Sequence, residues 1–291
     1  AYRRTCVDRS GGEWLTGAQI GQKSMLFTQF YQPLEPKQRF FVEPSLSYSR
    51  EQLGLFQEND RIAQYRINEG RFAFDLGTNL QTLGQARLGW LYRDINGRLD
   101  TGASGLPEGD QALRGWTASL ELEQFDRLFF PTRGWGVRAD VFGEQHGDYT
   151  KGQLQLVGAQ PLPGFVIQER VRAGGALNKA LPFADALFLG GPLNLSGFAP
   201  GQLIGGEAYF GSLRLERILG QMPLGMTGDL RLGLSAEVGK MNRRYTETDL
   251  GGWLPSFSLY FGSNLPLGPA YLGYGYAPQG SSTIYLFVGT P

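Results

Sequence analysis

The sequence predicts an all-β protein, an antiparallel transmembrane β-barrel. Three observations carry that prediction. Apolar and polar residues alternate with period two along most of the chain. The alternating segments are longer than ordinary strands. Glycine reaches 43 of 291 residues and aromatics 13%, a composition that suits many strands and turns. The whole chain, 1–291, reads as one barrel domain.

The segments lie near 13–21, 24–32, 39–54, 61–78, 83–98, 112–124, 134–145, 149–160, 165–177, 204–218, 226–240, 254–263, 268–277 and 281–289. Phe40, Val42, Leu46 and Tyr48 alternate with Glu43, Ser45, Ser47 and Ser49. Phe72, Phe74 and Leu76 alternate with Ala73, Asp75 and Gly77; Ala86, Leu88, Trp90 and Tyr92 with Arg87, Gly89 and Arg93. Trp116, Ala118, Leu120 and Leu122 share one face, and Val137, Ala139 and Val141 repeat the pattern. The clearest case is Asp229 to Gly239, where Leu230, Leu232, Leu234, Ala236 and Val238 oppose Arg231, Ser235 and Glu237. Side chains of a strand point alternately to opposite sides, so each segment has one greasy and one polar face. Asn59-Asp60, Asn96-Gly97, Pro161-Leu162-Pro163-Gly164, Gly251-Gly252, Pro266-Leu267-Gly268 and Gly280-Ser281 read as turns.

Many segments run 10–16 residues, beyond the usual strand of about 5–6 and enough for the roughly 9–11 residues of a tilted membrane-spanning strand. Connections 99–111 and 178–203 are long while 161–164 and 265–267 are tight, the two-ended arrangement of outer-membrane barrels. Arg87, Arg138, Arg231, Glu121 and Glu237 cannot face lipid, where a midplane arginine costs roughly 2–4 kcal/mol, so they line a lumen. Trp14, Trp90, Trp116, Trp135 and Trp253 suit interfacial belts. A soluble β-sandwich is the competing fold; its tryptophans would be core residues.

Basic and acidic residues balance at 27 each, which excludes the basic excess of a nucleic-acid binder. One cysteine, Cys6, and one histidine, His146, leave no disulfide, metal cage or histidine-based catalytic site. Cys6 reads as structural or lipid-facing, His146 as a solvated loop residue, and Glu121 with Glu123 as lumen charges. No 18-residue apolar run exists, and Ala1-Tyr2-Arg3-Arg4-Thr5 lacks the apolar core of a signal peptide. There is no Gly-x-Ser-x-Gly elbow: Gly233-Leu234-Ser235-Ala236-Glu237 lacks the second glycine, and Gly102-Ala103-Ser104-Gly105 is too short. Neither a phosphate-binding loop nor a His-Glu-x-x-His motif is present. No cofactor is expected and this chain is not expected to be an enzyme.

The segment Leu189-Gly190-Gly191-Pro192-Leu193-Asn194-Leu195-Ser196-Gly197-Phe198 resembles the lumen-folded loop of the BamA/TamA-type outer-membrane insertase and two-partner transporter superfamily. Five segments follow it, the family's count to the C-terminus. Asp126-Arg127-Leu128-Phe129-Phe130-Pro131-Thr132-Arg133-Gly134 resembles the family's Asp-…-Phe-Pro-Thr-x-Gly turn. Ser235-Ala236-Glu237-Val238-Gly239 resembles its strand-thirteen motif, Phe-x-Asp-x-Gly. The resemblance covers essentially the whole chain. It implies that 178–203 folds into the lumen, that Gly190, Gly191, Leu195, Ser196, Gly197 and Phe198 form the loop motif, and that Glu237 and Gly239 receive it. Asp126, Pro131 and Gly134 form the turn motif. The family's loop arginine is Ser196 here and its strand aspartate is Glu237. A neutral hydroxyl cannot make a directional arginine–carboxylate pair, so the usual lock is weakened or replaced.

Tyr2-Arg3-Arg4-Thr5, Gly12-Glu13-Trp14, Gln19-Ile20-Gly21 and Phe30-Tyr31-Gln32-Pro33-Leu34 resemble the barrels of patatin-like phospholipases of the single-chain type V secretion class. That resemblance implies an export or display barrel in the outer membrane of a Gram-negative bacterium, preceded in the same chain by a lipase and a POTRA domain. It implies outer-membrane lipids, periplasmic chaperones and assembly machinery as partners, and leaves room for a homodimer. It also implies sixteen strands in the full protein, of which about fourteen and a stub (Ala1–Val7) are here, with the end at Thr290-Pro291 short of the family's terminal aromatic. An assembly barrel of the BamA/TamA kind and a passive pore are the alternatives.

Overall fold

The structure, a computed structural model, describes residues 2–5, 7–8, 10–21, 23–102, 108–221, 228–266 and 268–289. Cys6, Ser104 and Thr290-Pro291 lie outside the described residues. The strands are β1 (Tyr2–Arg4), β2 (Glu13–Gln19), β3 (Lys23–Pro33), β4 (Phe40–Gln57), β5 (Asp60–Asn79), β6 (Gly84–Gly102), β7 (Gly109–Glu123), β8 (Gly134–Glu144), β9 (Thr150–Leu162), β10 (Phe165–Ala176), β11 (Leu187–Leu189), β12 (Leu203–Gln221), β13 (Asp229–Arg244), β14 (Leu254–Leu265), β15 (Gly268–Tyr276) and β16 (Ser282–Val288). Fourteen full strands and the β1 stub form one antiparallel sheet in chain order, as the period-two segments predict. β11 is an addition: a three-residue strand inside the long loop that pairs Leu187–Leu189 with Leu203–Gly205 of β12. Among the described residues no ladder joins β16 to β1, and no helix is long and apolar enough to cross a membrane.

The alternation becomes two faces. Leu234, Val238, Phe257, Leu259, Leu272 and Tyr274 point outward and are exposed. Glu216, Arg231, Ser235, Glu237, Ser256 and Tyr260 point inward and are buried. A polar interior beneath an exposed apolar exterior reverses a soluble sandwich and matches a wall whose outer solvent is hydrocarbon. All five tryptophans are among the exposed residues. Trp90 and Trp116 are partners across the β6–β7 ladder, and Trp90 stacks on Tyr92 with centroids 6.4 Å apart. These aromatics mark one edge of the apolar band.

The longest strands rise beyond that edge. In β5 the outward residues change from Phe72, Phe74 and Leu76 to Asn68 and Arg66. Arg66 pairs with Asp100 and Arg98 with Asp110 at 3.1 Å. This extension corrects two expectations. Asn96-Gly97 is no turn; both residues lie within β6, opposite Asp110 and Gly109. Ladder pairing on both sides overrides the local turn preference. The 99–111 connection is correspondingly short, since β6 continues to Gly102 and β7 starts at Gly109. Neighbouring-strand connections at one end include 34–39, 80–83, 124–133 and 163–164; the long loop 177–202 leaves from the other end.

The outward faces should therefore tolerate no charge. Leu234→Arg, on the lipid side of β13, is expected to destabilise the bilayer-folded protein by about 2–4 kcal/mol. Ser119→Arg, which points into the lumen beside Asp140, should cost far less. Denaturant titration in lipid bilayers compares the two.

Candidate functional site

The site is the interior wall of β12–β16 and the loop docked on it. Period two places four inward rows on this wall, and register aligns them. Ser212, Glu237 and Ser256 form one row; Arg214, Ser235, Ser258 and Gly275 the next; Glu216, Gly233, Tyr260, Gly273 and Tyr285 a third. Arg231, Gly262, Tyr271 and Phe287 line the far end.

The loop reaches the first two rows with its motif. Glu237, 3% exposed, accepts the Ser196 amide N–H at 2.6 Å on Oε2 and the Ser196 hydroxyl at 2.8 Å on Oε1. Ser235 adds a hydroxyl at 2.9 Å. The Gly197 N–H donates to Ser256 Oγ at 2.9 Å, and the Ser196 carbonyl accepts from Thr283 Oγ1 at 2.5 Å. Ser281 donates its N–H to the Gly197 carbonyl at 2.8 Å. Inside the loop, the Ser196 hydroxyl accepts from Leu193 N–H at 2.9 Å. The expectation that Ser196 offers only a hydroxyl is thereby corrected. Its amide joins in, so the lock is replaced by a carboxylate bound to three neutral donors. Hydrogen bonds to an ionised acceptor are about twice as strong as neutral ones.

Space explains the glycines. A Cβ on Gly197 would sit 2.2 Å from the Ala277 nitrogen, and one on Gly275 2.2 Å from the Ser196 carbonyl oxygen. Gly239 leaves room for Leu195, whose Cδ1 would be 2.6 Å from an added Cβ. Gly190 and Gly191 turn the chain at φ of 113° and 104°, backbone that side chains rarely adopt. Leu195 and Phe198 are buried in an apolar cluster with Leu203, Phe210, Met241, Leu254 and Ala277. The loop motif, Glu237 and Gly239 are thus one contact surface.

Two further anchors had no sequence signal. On the opposite wall Asp185, in a 3-10 turn over Phe183–Asp185, binds Arg93 of β6 at 2.5 Å and the Tyr149 hydroxyl. Lys151 of β9 donates to the Asp185 carbonyl at 2.9 Å. Gln202 bonds Glu247 at 2.7 Å and Asn59 at 3.0 Å, tying the loop to the β13–β14 and β4–β5 connections. These contacts span from β5 and β6 to β13, which only a curled sheet permits. Only period two could have marked Arg93 as inward-facing; Asp185 and Gln202 sit in irregular chain.

Beside the loop remains a cavity of about 710 Å³, lined by Arg71, Arg87, Arg138 and Arg172 together with Glu69, Asp75 and Asp140. Arg138 and Asp140 pair at 2.9 Å. Arg71, Asp75 and Thr117 add polar groups of mixed sign to the same wall. Glu121 opposes Arg138 across β7–β8, an interior charge as expected. His146 lies on the 145–149 connection, its Nδ1 3.0 Å from Glu144. Among the described residues no group of histidine, cysteine and carboxylate side chains could hold a metal.

The turn motif lies at the other end. Asp126 accepts the Thr132 and Arg133 amides at 2.9 and 3.1 Å and the Thr132 hydroxyl at 2.5 Å. Burial alone would raise its pKa, but these donors outweigh burial and pull it down to about 2. Pro131 gives its carbonyl to Gln168 Nε2 at 3.2 Å. Gly134 has φ 127° and abuts the Gln124 carbonyl, which a Cβ would approach to 2.1 Å.

Two outcomes follow from this geometry. Glu237→Ala strands three donors and should cost about 1–3 kcal/mol, more than Ser196→Ala at about 1 kcal/mol. Limited proteolysis within 190–198 should speed up in the same order. Asp126 has a folded pKa below its ordinary 3.8, so its stabilisation is complete above that value and fades as pH falls toward about 2. Asp126→Asn should flatten that acid limb of the unfolding curve measured against pH.

Residues 14–290 match the model of the Omp85 superfamily domain. BamA from Haemophilus ducreyi lacking POTRA domains 1–3 has a similar fold, with TM-score 0.75 at 13% identity over 98% of this chain and 65% of that one. CdiB from Escherichia coli matches with TM-score 0.65 at 13% identity, over 98% and 57%. CdiB from Acinetobacter baumannii gives 0.61 at 12%, over 94% and 51%. The chain therefore spans between half and two thirds of these proteins' length, and the likeness is one of fold. No curated protein matches the sequence. With nearly its entire length inside the family model, an interior loop on the β13 carboxylate and an apolar outer wall, the chain belongs to the Omp85 superfamily, as a barrel of the Gram-negative outer membrane.

Proposed function

We propose that this barrel is the translocator and anchor of a patatin-like phospholipase, exporting or displaying a lipase domain carried upstream with a POTRA module in the same polypeptide. The observation that supports it is the lumen. A polar cavity of mixed charge runs beside a loop held by neutral donors on one carboxylate. A wall carrying both signs lets an extended polypeptide pass without a strong binding site, and the tip of the plug meets Glu237 through neutral donors in place of a charged pin. The N-terminal motifs around Arg3, Trp14 and Tyr31 point to the lipase-bearing branch. Periplasmic chaperones and assembly machinery would deliver the chain, outer-membrane lipids would surround it, and a second copy could complete a homodimer.

A second reading, assembly of other outer-membrane proteins, draws on β15. That strand has nine residues against twenty in β5, and its exposed outward residues are Leu272, Tyr274 and Tyr276. A short apolar belt thins the adjoining bilayer, which would ease insertion of new strands beside it.

The natural coding sequence upstream of Ala1 and surface proteolysis of the full-length protein test the proposal. An in-frame hydrolase domain, cleaved by protease added to intact cells, is the expected result. A hydrolase domain that stays protected behind a folded barrel, or an upstream region holding only POTRA repeats, overturns it. General loss of outer-membrane proteins on depletion would favour the second reading instead.

A further inference from the structure

The β7–β8 connection does not stay at the rim of its own strands. Phe130 turns inward at φ 50°, a left-handed backbone uncommon for a bulky residue. It is 6% exposed. Its ring lies 5.1 Å from that of Tyr271 on β15, and the Arg231 guanidinium of β13 lies 5.1 Å above it. On β14, Gly262 supplies the space: a Cβ there would come within 2.8 Å of the Phe130 ring. Gln168 of β10 holds the Pro131 carbonyl, and Arg127 reaches Asp229 at 3.2 Å. A turn that belongs to β7 and β8 is thus fastened to β10, β13, β14 and β15.

Its receptor is built in advance. Arg231 and Glu216, each 1% exposed, pair at 3.0 Å. Glu216 also accepts from the Tyr260 hydroxyl at 2.7 Å and from Gln168 at 3.3 Å. Arg231 is therefore positioned by Glu216, through a contact that does not involve Phe130. Phe130 also shares an apolar cluster with Leu193, the buried tip of the interior loop, and with Tyr260, Tyr271 and Tyr285. Two segments that leave opposite ends of the barrel meet on one stretch of wall.

The outer half of the turn is weakly held. Leu128 is 78% exposed, and the Arg127–Asp229 pair, with side chains 52% and 35% exposed, is of the solvated kind that contributes little. Few buried contacts on an exposed segment place it at the low-stability end of the molecule.

We propose that residues 126–133 form a strap that seals the lower mouth of the lumen. Phe130 is its latch and Arg231 the positioning residue, and the strap is a second plug opposed to the loop at 177–202. Opening the lumen then requires releasing both segments from their shared cluster. The proposal needs only the barrel, not the lipase passenger, so either can fail without the other.

Reactivity of a reporter thiol tests it. Leu193→Cys, in a Cys6→Ser background of the full chain reconstituted in bilayers, places a thiol under Phe130. A membrane-impermeant maleimide should label it slowly. Phe130→Ala should speed labelling by about tenfold or more, as removal of a buried aromatic anchor shifts a two-state contact. Arg127→Glu should speed it by a smaller factor, with heat-modifiable migration of the folded barrel retained. Parent-rate labelling in both folded variants overturns the strap. If Phe130→Ala does not fold, Arg127→Glu, which replaces the exposed contacts with Asp229 and Asp126 by repulsion between carboxylates, decides by the same measure.

Discussion

Hydrocarbon offers a backbone no hydrogen-bond partner, and this one constraint organises the protein. Every spanning strand must pair on both sides. Side chains then have only two places to go, outward into lipid or inward into the lumen. The exposed leucines and aromatics of β13–β15 and the buried Glu216, Arg231 and Glu237 behind them are two halves of that division.

The inner half carries its own requirement. A buried carboxylate or guanidinium needs partners, because desolvation is costly when a charge is left alone. The interior therefore fills with networks, and each network recruits a segment that is not a strand. Glu237 recruits the loop tip at Ser196. Asp185 carries the loop's other end to Arg93 and Lys151. Arg231, paired with Glu216 and close to Asp229, offers its face to Phe130. The charged pin that the family resemblance implies at position 196 is absent from the tip. A cation–carboxylate pin is found instead on the limb of the loop that precedes the tip, at Asp185. At the tip Glu237 is met by the amide and hydroxyl of Ser196, while Arg172 and Arg214 bond Asn194 and the Leu193 carbonyl beside it.

Size completes the fit. The wall opposite the loop carries Gly239 and Gly275 where side chains would strike Leu195 and Ser196, and Gly262 where one would strike Phe130. High glycine content in this protein thus has two origins. Some residues make turns, and others hollow the inner wall so that polar chain can approach it.

The sequence by itself determined the strands, their faces and their order. A period of two survives any context in which one face meets lipid and the other water, and spanning length separates such strands from a soluble sheet. The family resemblance singled out the loop motif, Glu237, Gly239 and the Asp126 turn for attention. Tertiary structure decided the rest. Asn96-Gly97 reads locally as a turn and becomes strand because β5 and β7 pair with it. Ser196 reads as a lost arginine, yet its amide completes the lock, since main-chain donors leave no mark in a sequence. Asp185 meets Arg93 across 92 residues of chain, and Phe130 finds Arg231 on another wall. Such partners are chosen by the curvature of the sheet and by the space its glycines leave. Local patterning encodes which way a side chain points, but not what stands across the lumen from it.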